Sequence, residues 1–485
     1  MTQVDNSNLW DETQPIHHSD PNEAYLMTAY RQVEASLHSV LPPIDRPITH
    51  SIAHIANVLH DSNNQATKLS TLLNHDSQQT LVLAEEGGGK TFTMLTLLRG
   101  AIRRRLSDPT APLPIYAKAR RWNIHKAPPL VSWLSAQSGL NATAIAEAID
   151  SGTALLIIDG LDDLLQKYPK SPKSDFDPRD PFMEMLPDNT PIILSTAPND
   201  PLATTLEDAH IFTLQRLTTT QIEAYLTSVP IVQPIWEAIQ EQAIVMQVIS
   251  KPFFLNMLIV AYKNTPDALS DLANKDEGEI RDAIFQKYVE ARYQQAIAEH
   301  ETRFRLQQVF DILGLVATKG VIRYGTGRVA MVEVNQPHWD DMLIVDDLRF
   351  GFIGSSSPDS ADFMAFAQTM NLVTPPLDGI GSCTFVHPII RDLMVVRHCF
   401  PIETKLTSYT IESLTRISDP RKYEAFAEVL EGDYKLNFKL QAFSALDGDS
   451  STQATTTMQA LAQTLQHDFF AGRIRDSLSK RIVNH

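Results

Sequence analysis

The sequence predicts an α/β domain, a parallel sheet with helices on both faces, followed by all-helical segments and a short helical tail. Two observations carry that expectation. Between residues 80 and about 215, short apolar runs alternate with amphipathic stretches, and parallel strands need such crossovers to reconnect. Beyond that point the strand signals stop and helical spacing of apolar residues takes over.

The elements follow in chain order. Residues 1–22 are polar and carry Pro15 and Pro21, and helical spacing then sets in at Leu26, Tyr30, Val33 and Leu37. Pro42, Pro43 and Pro47 interrupt it, and a helical pattern resumes in IAHIANVLH (52–60) and continues through LSTLL (69–73). Strands are expected at TLVLA (80–84), LPIYA (113–117), ALLIID (154–159), PIILST (191–196) and IFTL (211–214). Thr218 and Gln221 have capping-box spacing and open a helical stretch that runs to about Leu315. Loops and a short sheet are expected between Gly320 and Gly354. A helical pair follows at 361–370 and 388–396, with TFV (384–386) as a strand between them. The last residues read as helical pieces split by a polar linker, DGDSSTQATTT (447–457). No repeat period emerges.

At 485 residues the chain exceeds one ordinary core, since cores stop growing at ~250–300 residues. The charge of −17, from 58 acidic against 41 basic residues, repels phosphate backbones and anionic surfaces, so nucleic acid and membranes are poor partners. Two cysteines, Cys383 and Cys399, cannot form a disulfide framework and suit a reducing compartment. The N-terminus has neither a basic start nor an apolar run, so no secretory signal is expected and a cytoplasmic location is. FFLNMLIVAY (253–262) is about half the ~20 residues a bilayer requires, and it reads as a buried helix.

The most informative stretch is LVLAEEGGGKTFT (81–93). Backbone N–H groups crowd around a phosphate only where side chains do not block them, which is what Gly87, Gly88 and Gly89 allow. The helix that follows adds its positive end, with Phe92 in its first turn. Lys90 then supplies a point charge for the β- and γ-phosphates, and Thr91 a hydroxyl for Mg²⁺. The spacing from Ala84 through Gly89, Lys90 and Thr91 is the P-loop pattern, with alanine where glycine is commoner. Ala84 suits that position unless it requires a positive φ. Glu85 and Glu86 must point away from the phosphates.

A P-loop needs a second strand that delivers a carboxylate to the metal, and ALLIID ends in Asp159. GLDD (160–163) places two more carboxylates one turn on, where Asp162 or Asp163 suits a general base that polarises the attacking water.

DGLDD (159–163) resembles the Walker B segment of NACHT-type STAND NTPases. The segments around LPIYA (113–117), FTLQRLTTTQIEAYL (212–226), SKPFFL (250–255) and TFVHPIIRDLM (384–394) resemble later motifs of that family in the same order. The resemblance covers residues 69–398. It implies a P-loop nucleotide-binding domain at 69–215, a helical domain at 216–300 and a winged-helix region at 301–400, between the helical lead-in at 1–68 and the helical tail at 401–485 that apolar spacing indicates. It also implies ATP or ADP with Mg²⁺, Pro252 bordering the adenine, and His387 touching the phosphates of bound ADP in a closed state. The protein would then be a nucleotide-dependent switch and slow ATPase in signalling, in prokaryotic antiviral or stress defence, acting through a protein effector or self-association.

One departure matters. The family's fourth strand ends in threonine or serine and then arginine, whereas here Ser195 and Thr196 precede Ala197. The two hydroxyls can still bond a phosphate or water, but the cation is missing. That favours slow or absent hydrolysis, or an arginine supplied from elsewhere. A nucleotide-stabilised scaffold without turnover is the alternative reading. A mechanochemical ATPase is opposed by the acidic charge.

Other signals read as structural. RRR (103–105) is expected to be a solvated helix end, and His50 and His54 lack a third ligand at metal spacing.

Overall fold

The computed structural model describes residues 20–40, 59–60, 66–67, 72–73, 79–167, 177–200, 209–324, 360–373, 385–399 and 452–464, apart from single residues within those ranges, and scattered positions between 414 and 446. The chain divides into two compact units, Met1–Ala273 and Asn274–His485. The helix Glu277–Glu299 opens the second unit.

In the first unit, α1 (Glu23–Val40) leads into two short strands, β1 (Leu59–His60) and β2 (Ala66–Thr67). The α/β alternation then follows: β3 (Gln79–Leu83), α2 (Lys90–Ser107), β4 (Leu113–Lys118), α3 (Leu130–Ser138), α4 (Ala142–Asp150), β5 (Ala154–Asp159), α5 (Leu161–Lys167), the short α6 (Asp180–Met183), β6 (Ile192–Thr196) and β7 (His210–Leu214). Among the described residues seven strands form one sheet in the order β2-β1-β7-β3-β6-β5-β4. The five from β7 to β4 run parallel, as the sequence alternation requires. All six residues of β5 are buried, the pattern of a strand covered on both faces.

The helical pattern expected at 52–73 gives way in part. Leu59–His60 pairs antiparallel with β7 and with β2, and Leu72 and Leu73 lie in a 3-10 turn. Short apolar runs are ambiguous in period, and the open hydrogen-bonding edge of β7 decides between helix and strand here.

The basic run ends α2 as expected, with Arg104 exposed, but Arg103 and Arg105 are half-buried rather than fully solvated. Leu26, Val33 and Leu37 of α1 are buried, and α1 packs along α2. Arg103 donates from Nε to Tyr30 Oη at 3.1 Å, and its guanidinium lies 5.4 Å from the Tyr30 ring centroid. Arg105 pairs with the buried Asp20 carboxylate, Arg99 with Glu34 at 3.5 Å, and Arg104 donates to the Leu73 carbonyl at 3.0 Å. Tyr25 of α1 donates to the Pro114 carbonyl of edge strand β4 at 2.9 Å.

Beyond the sheet, Thr218 caps α7 (Thr219–Ser228), and both bonds of its capping box with Gln221 are made. Helices α8 (Gln233–Ile239), α9 (Ala243–Ile249) and α10 (Pro252–Tyr262) follow, and a 3-10 helix, Pro266–Leu272, completes the unit. Most apolar side chains of α10 are buried. Among the described residues no single helix is long and apolar enough to cross a membrane; α9 and α10 together would be, but they are bent by 113°.

The second unit begins with α11 (Glu277–Glu299), capped by Asp276 and Glu279. Next come α12 (Leu306–Tyr324), α13 (Ser360–Thr369), α14 (Pro388–Cys399) and α15 (Thr452–Thr464). Helices α12 and α14 pack closely because Gly314 has no side chain: a Cβ there would stand 2.8 Å from His398 Cβ and 3.2 Å from the Met394 carbonyl. The strand expected at 384–386 is a single antiparallel bridge, Val373 to Phe385. Of the stretch from Gly320 to Gly354, where loops and a short sheet are expected, residues 320–324 continue α12 and the rest lies outside the described residues, as do His50, His54 and Cys383. The polar linker expected through residue 457 becomes helix from Thr452. Ala454, Thr457 and Met458 bury one face, and Thr457 donates to the Leu414 carbonyl at 2.8 Å.

Candidate functional site

Because β7, β3, β6, β5 and β4 are parallel, their carboxyl ends share one edge, and ligands of open α/β sheets bind outside that edge. The residues singled out in the glycine stretch and in DGLDD lie there. Strand β3 is followed by the buried Ala84, whose N–H bonds the Thr196 carbonyl at 3.2 Å. Gly87 and Gly89 adopt φ of 72° and 94° while Ala84 does not have a positive φ, so alanine is unstrained where it stands. Alternating left-handed residues turn successive N–H groups toward one side, the geometry of an anion nest.

The loop is tightly folded. Gly88 N–H bonds the Glu85 carbonyl at 2.9 Å, and a Cβ on Gly88 would stand 2.8 Å from that same oxygen. Helix α2 begins at Lys90 with no side-chain cap and no acidic residue in its first turn. Its first N–H groups therefore lack the partners that helix starts ordinarily recruit. The Glu85 carboxylate is turned away, accepting from Arg216 at 2.8 Å and lying 3.6 Å from Lys251 Nζ.

Lys90 Nζ donates to the Ala84 carbonyl at 3.1 Å and to Asp162 Oδ2 at 2.8 Å. The pair is largely shielded, with 15% of each side chain exposed, and Asp162 Oδ1 is buried with no hydrogen-bond partner. Asp159 closes the other side from β5. Strand β6 lies between β3 and β5. Its Ser195 donates to Asp159 Oδ1 at 2.9 Å while accepting from the Gly160 N–H at 2.9 Å. Tyr116 of β4 donates to Asp159 Oδ2 at 3.2 Å.

Asp163, half-buried, has its carboxyl pushed up to about 7. Burial is the main cause, the neighbouring Asp162 and Asp159 add to it, and Arg120 and Lys90 pull the other way. Thr196 donates its hydroxyl to Asp200. Asp200 in turn holds Arg179, which is fully buried and also bonded to Asp177. No arginine follows Thr196, and Arg179, bonded to this strand end through Asp200, is neutralised by two carboxylates.

Pro252 starts α10 beside the loop. A Cβ on Gly89 would lie 4.0 Å from Pro252 Cγ, and Phe253 N–H donates to the Gly87 carbonyl at 3.2 Å. His387 belongs to the second unit, where its Nδ1 accepts from the Ile389 N–H at 3.1 Å and caps α14. The structure thus brings Ala84, the three glycines, Lys90, Asp159, Asp162, Asp163, Ser195, Thr196 and Pro252 into one region. Thr91 and Phe92 occupy the first turn of α2.

Sequence reasoning missed Tyr116, Arg179, Asp200 and Arg216. Tyr116 left one faint signal, a hydroxyl-bearing residue in an otherwise apolar strand. Arg216 with Glu85 and Arg179 with Asp200 meet across long sequence separations, whereas Asp200 lies only four residues from Thr196.

The site fits a polyphosphate with a divalent cation on its own features: a nest shaped by left-handed glycines, an uncapped helix start, a shielded lysine, a threonine hydroxyl and a carboxylate. Among the described residues no cluster of three or more His, Cys, Asp or Glu suggests a different kind of metal centre.

No protein-family model matches the chain, and no curated relative matches it. Among solved structures, the Walker-type ATPase paby2304 of Pyrococcus abyssi is similar at 17% identity and a TM-score of 0.28, over 67% of this chain and 94% of that one. The Signal Transduction ATPase with Numerous Domains protein PH0952 of Pyrococcus horikoshii, which carries a tetratricopeptide repeat sensor, is similar at 12% identity and a TM-score of 0.31. That match spans 86% of this chain and 57% of that one. At these TM-scores neither likeness carries an argument, and the functional reading rests on strand order and site geometry.

Proposed function

We propose that this chain is an ATP-binding signal-transduction NTPase of the NACHT/STAND type, working as a nucleotide-dependent switch with Mg²⁺. The observation that carries the reading is the glycine nest on β3, with Lys90 at its end and the Asp159 carboxylate two strands away on the same edge of a parallel sheet.

In this reading the N–H groups at the start of α2 bind phosphate oxygens, and Lys90 leaves Asp162 to neutralise them. Thr91 and Asp159 hold the Mg²⁺, which, when bound, neutralises charge between the outer phosphates. Asp163, able to carry or release a proton near neutral pH, suits the general base for an attacking water, with Asp162 as the other candidate. Pro252 and the Gly87–Phe253 hydrogen bond tie the loop to α10, so a change in loop shape reaches the helical segments. His387 as a phosphate contact, a closed ADP state, a winged-helix region, self-association or a protein effector, a cytoplasmic location and a role in defence belong to the same proposal and rest on the sequence resemblance.

Ala197 and the pinning of Arg179 favour a second reading, a nucleotide-stabilised scaffold without turnover. Equilibrium binding of labelled ATP and ADP, with phosphate release measured on the same preparation, separates the two. Binding abolished in Lys90→Ala, with phosphate release lost in Asp163→Asn, supports the switch. Tight binding with no release supports the scaffold. No binding of either nucleotide refutes both.

A further inference from the structure

Asp159 is held from both sides. Its two carboxylate oxygens accept from hydroxyls on the two flanking strands, Ser195 of β6 at 2.9 Å and Tyr116 of β4 at 3.2 Å. The register makes this possible. Tyr116 pairs with Ile157, two residues before Asp159, so the two side chains leave the same face of the sheet. On the other side Ile158 pairs with Leu194, and the next step along brings Asp159 to Ser195.

We propose that Tyr116 is a positioning residue for the metal-binding carboxylate, fixing the orientation of Asp159 together with Ser195. An ionised carboxylate has about four lone-pair directions. Two are taken by the hydroxyls, and the rest stay directed by the resulting geometry. Without the Tyr116 hydroxyl, Asp159 keeps only the Ser195 bond and regains rotation about its terminal torsion, which is intrinsically broad. Outer-shell donors of this kind typically change metal affinity by about 10–100-fold when removed.

This inference rests on the nucleotide-binding reading above, and its test separates the two. Labelled ADP is titrated onto the full chain in EDTA and then at rising Mg²⁺, with Mn²⁺ as a second ion, for wild type, Tyr116→Phe and Ser195→Ala. Tyr116→Phe keeps the ring and loses only the hydroxyl. The expected result is unchanged nucleotide affinity in EDTA with the ion midpoint raised about tenfold or more, and a shift of the same sign in Ser195→Ala. Equal ion midpoints in wild type and Tyr116→Phe overturn the role given to Tyr116. So does a loss of affinity in EDTA as large as the loss in Mg²⁺, which would mark a general packing role. A wild type that binds no nucleotide under any condition sinks the functional reading and this inference with it.

Discussion

Replacing Asp162 with asparagine should tighten nucleotide binding, the opposite of what removing an active-site residue ordinarily does. Lys90 is engaged by Asp162 at 2.8 Å, and a phosphate must displace that carboxylate before it gains the lysine. A hydrogen bond between charged groups is worth about 1.5–3 kcal/mol. The residual 15% exposure of each partner and the carbonyl that asparagine retains reduce the net gain to about 1–2 kcal/mol, or roughly 5–30-fold in affinity. Removing a negative charge near the phosphates acts in the same direction. The assay is fluorescence titration of labelled ADP in EDTA, which takes the metal out of the comparison, with Lys90→Ala as the control expected to weaken binding. Asp162→Asn binding no more tightly than wild type would refute the idea that Asp162 and the nucleotide compete for Lys90. Phosphate release should not rise in this variant despite tighter binding.

Gly88→Ala should lower nucleotide affinity by at least tenfold with little loss of thermal stability, because its Cβ would stand 2.8 Å from the Glu85 carbonyl and force the turn open; wild-type affinity would show that the loop tolerates the shift. The carboxyl of Asp163 is raised to about 7 in the folded chain, against about 3.9 unfolded. The folded state therefore holds the proton more tightly, and this group's contribution to stability falls as pH rises from about 4 to 7, by at most about 4 kcal/mol. Melting of the ligand-free protein between pH 5 and 8 should show a smaller decline in Asp163→Asn than in wild type, and equal slopes would contradict the assignment. Asp20→Asn leaves Arg105 beside an uncharged partner in a shielded position, with an expected cost of about 2–4 kcal/mol seen as a lower urea midpoint; no change would return the basic run to the solvated role its sequence suggests.

The parallel sheet was legible because the alternation of apolar runs and amphipathic stretches has few other solutions. All five expected strands from 80 to 214 fall within a residue of where their apolar runs lie. The Thr218 capping box was legible because its two bonds span three residues. The glycine stretch was legible for a similar reason: conformational freedom, a helix start and a lysine are properties of consecutive residues. Misreadings came where partners are distant. RRR at 103–105 carries no local sign that Asp20, Tyr30 and Leu73 will meet it. Thr452–Thr457 looks like a linker until a buried face gives its threonines a neighbour.

By itself, then, the chain specified which strand carries the glycine loop and which ends in the acidic turn, because periodicity and glycine placement act over a few residues. Tertiary structure alone decided that Lys90 rests on Asp162, that Asp159 is shared between Tyr116 and Ser195, and that Arg179 is held by Asp200. Hydrogen bonds and ion pairs between residues tens of positions apart depend on strand order and register, and those are fixed only when the sheet buries its two faces together.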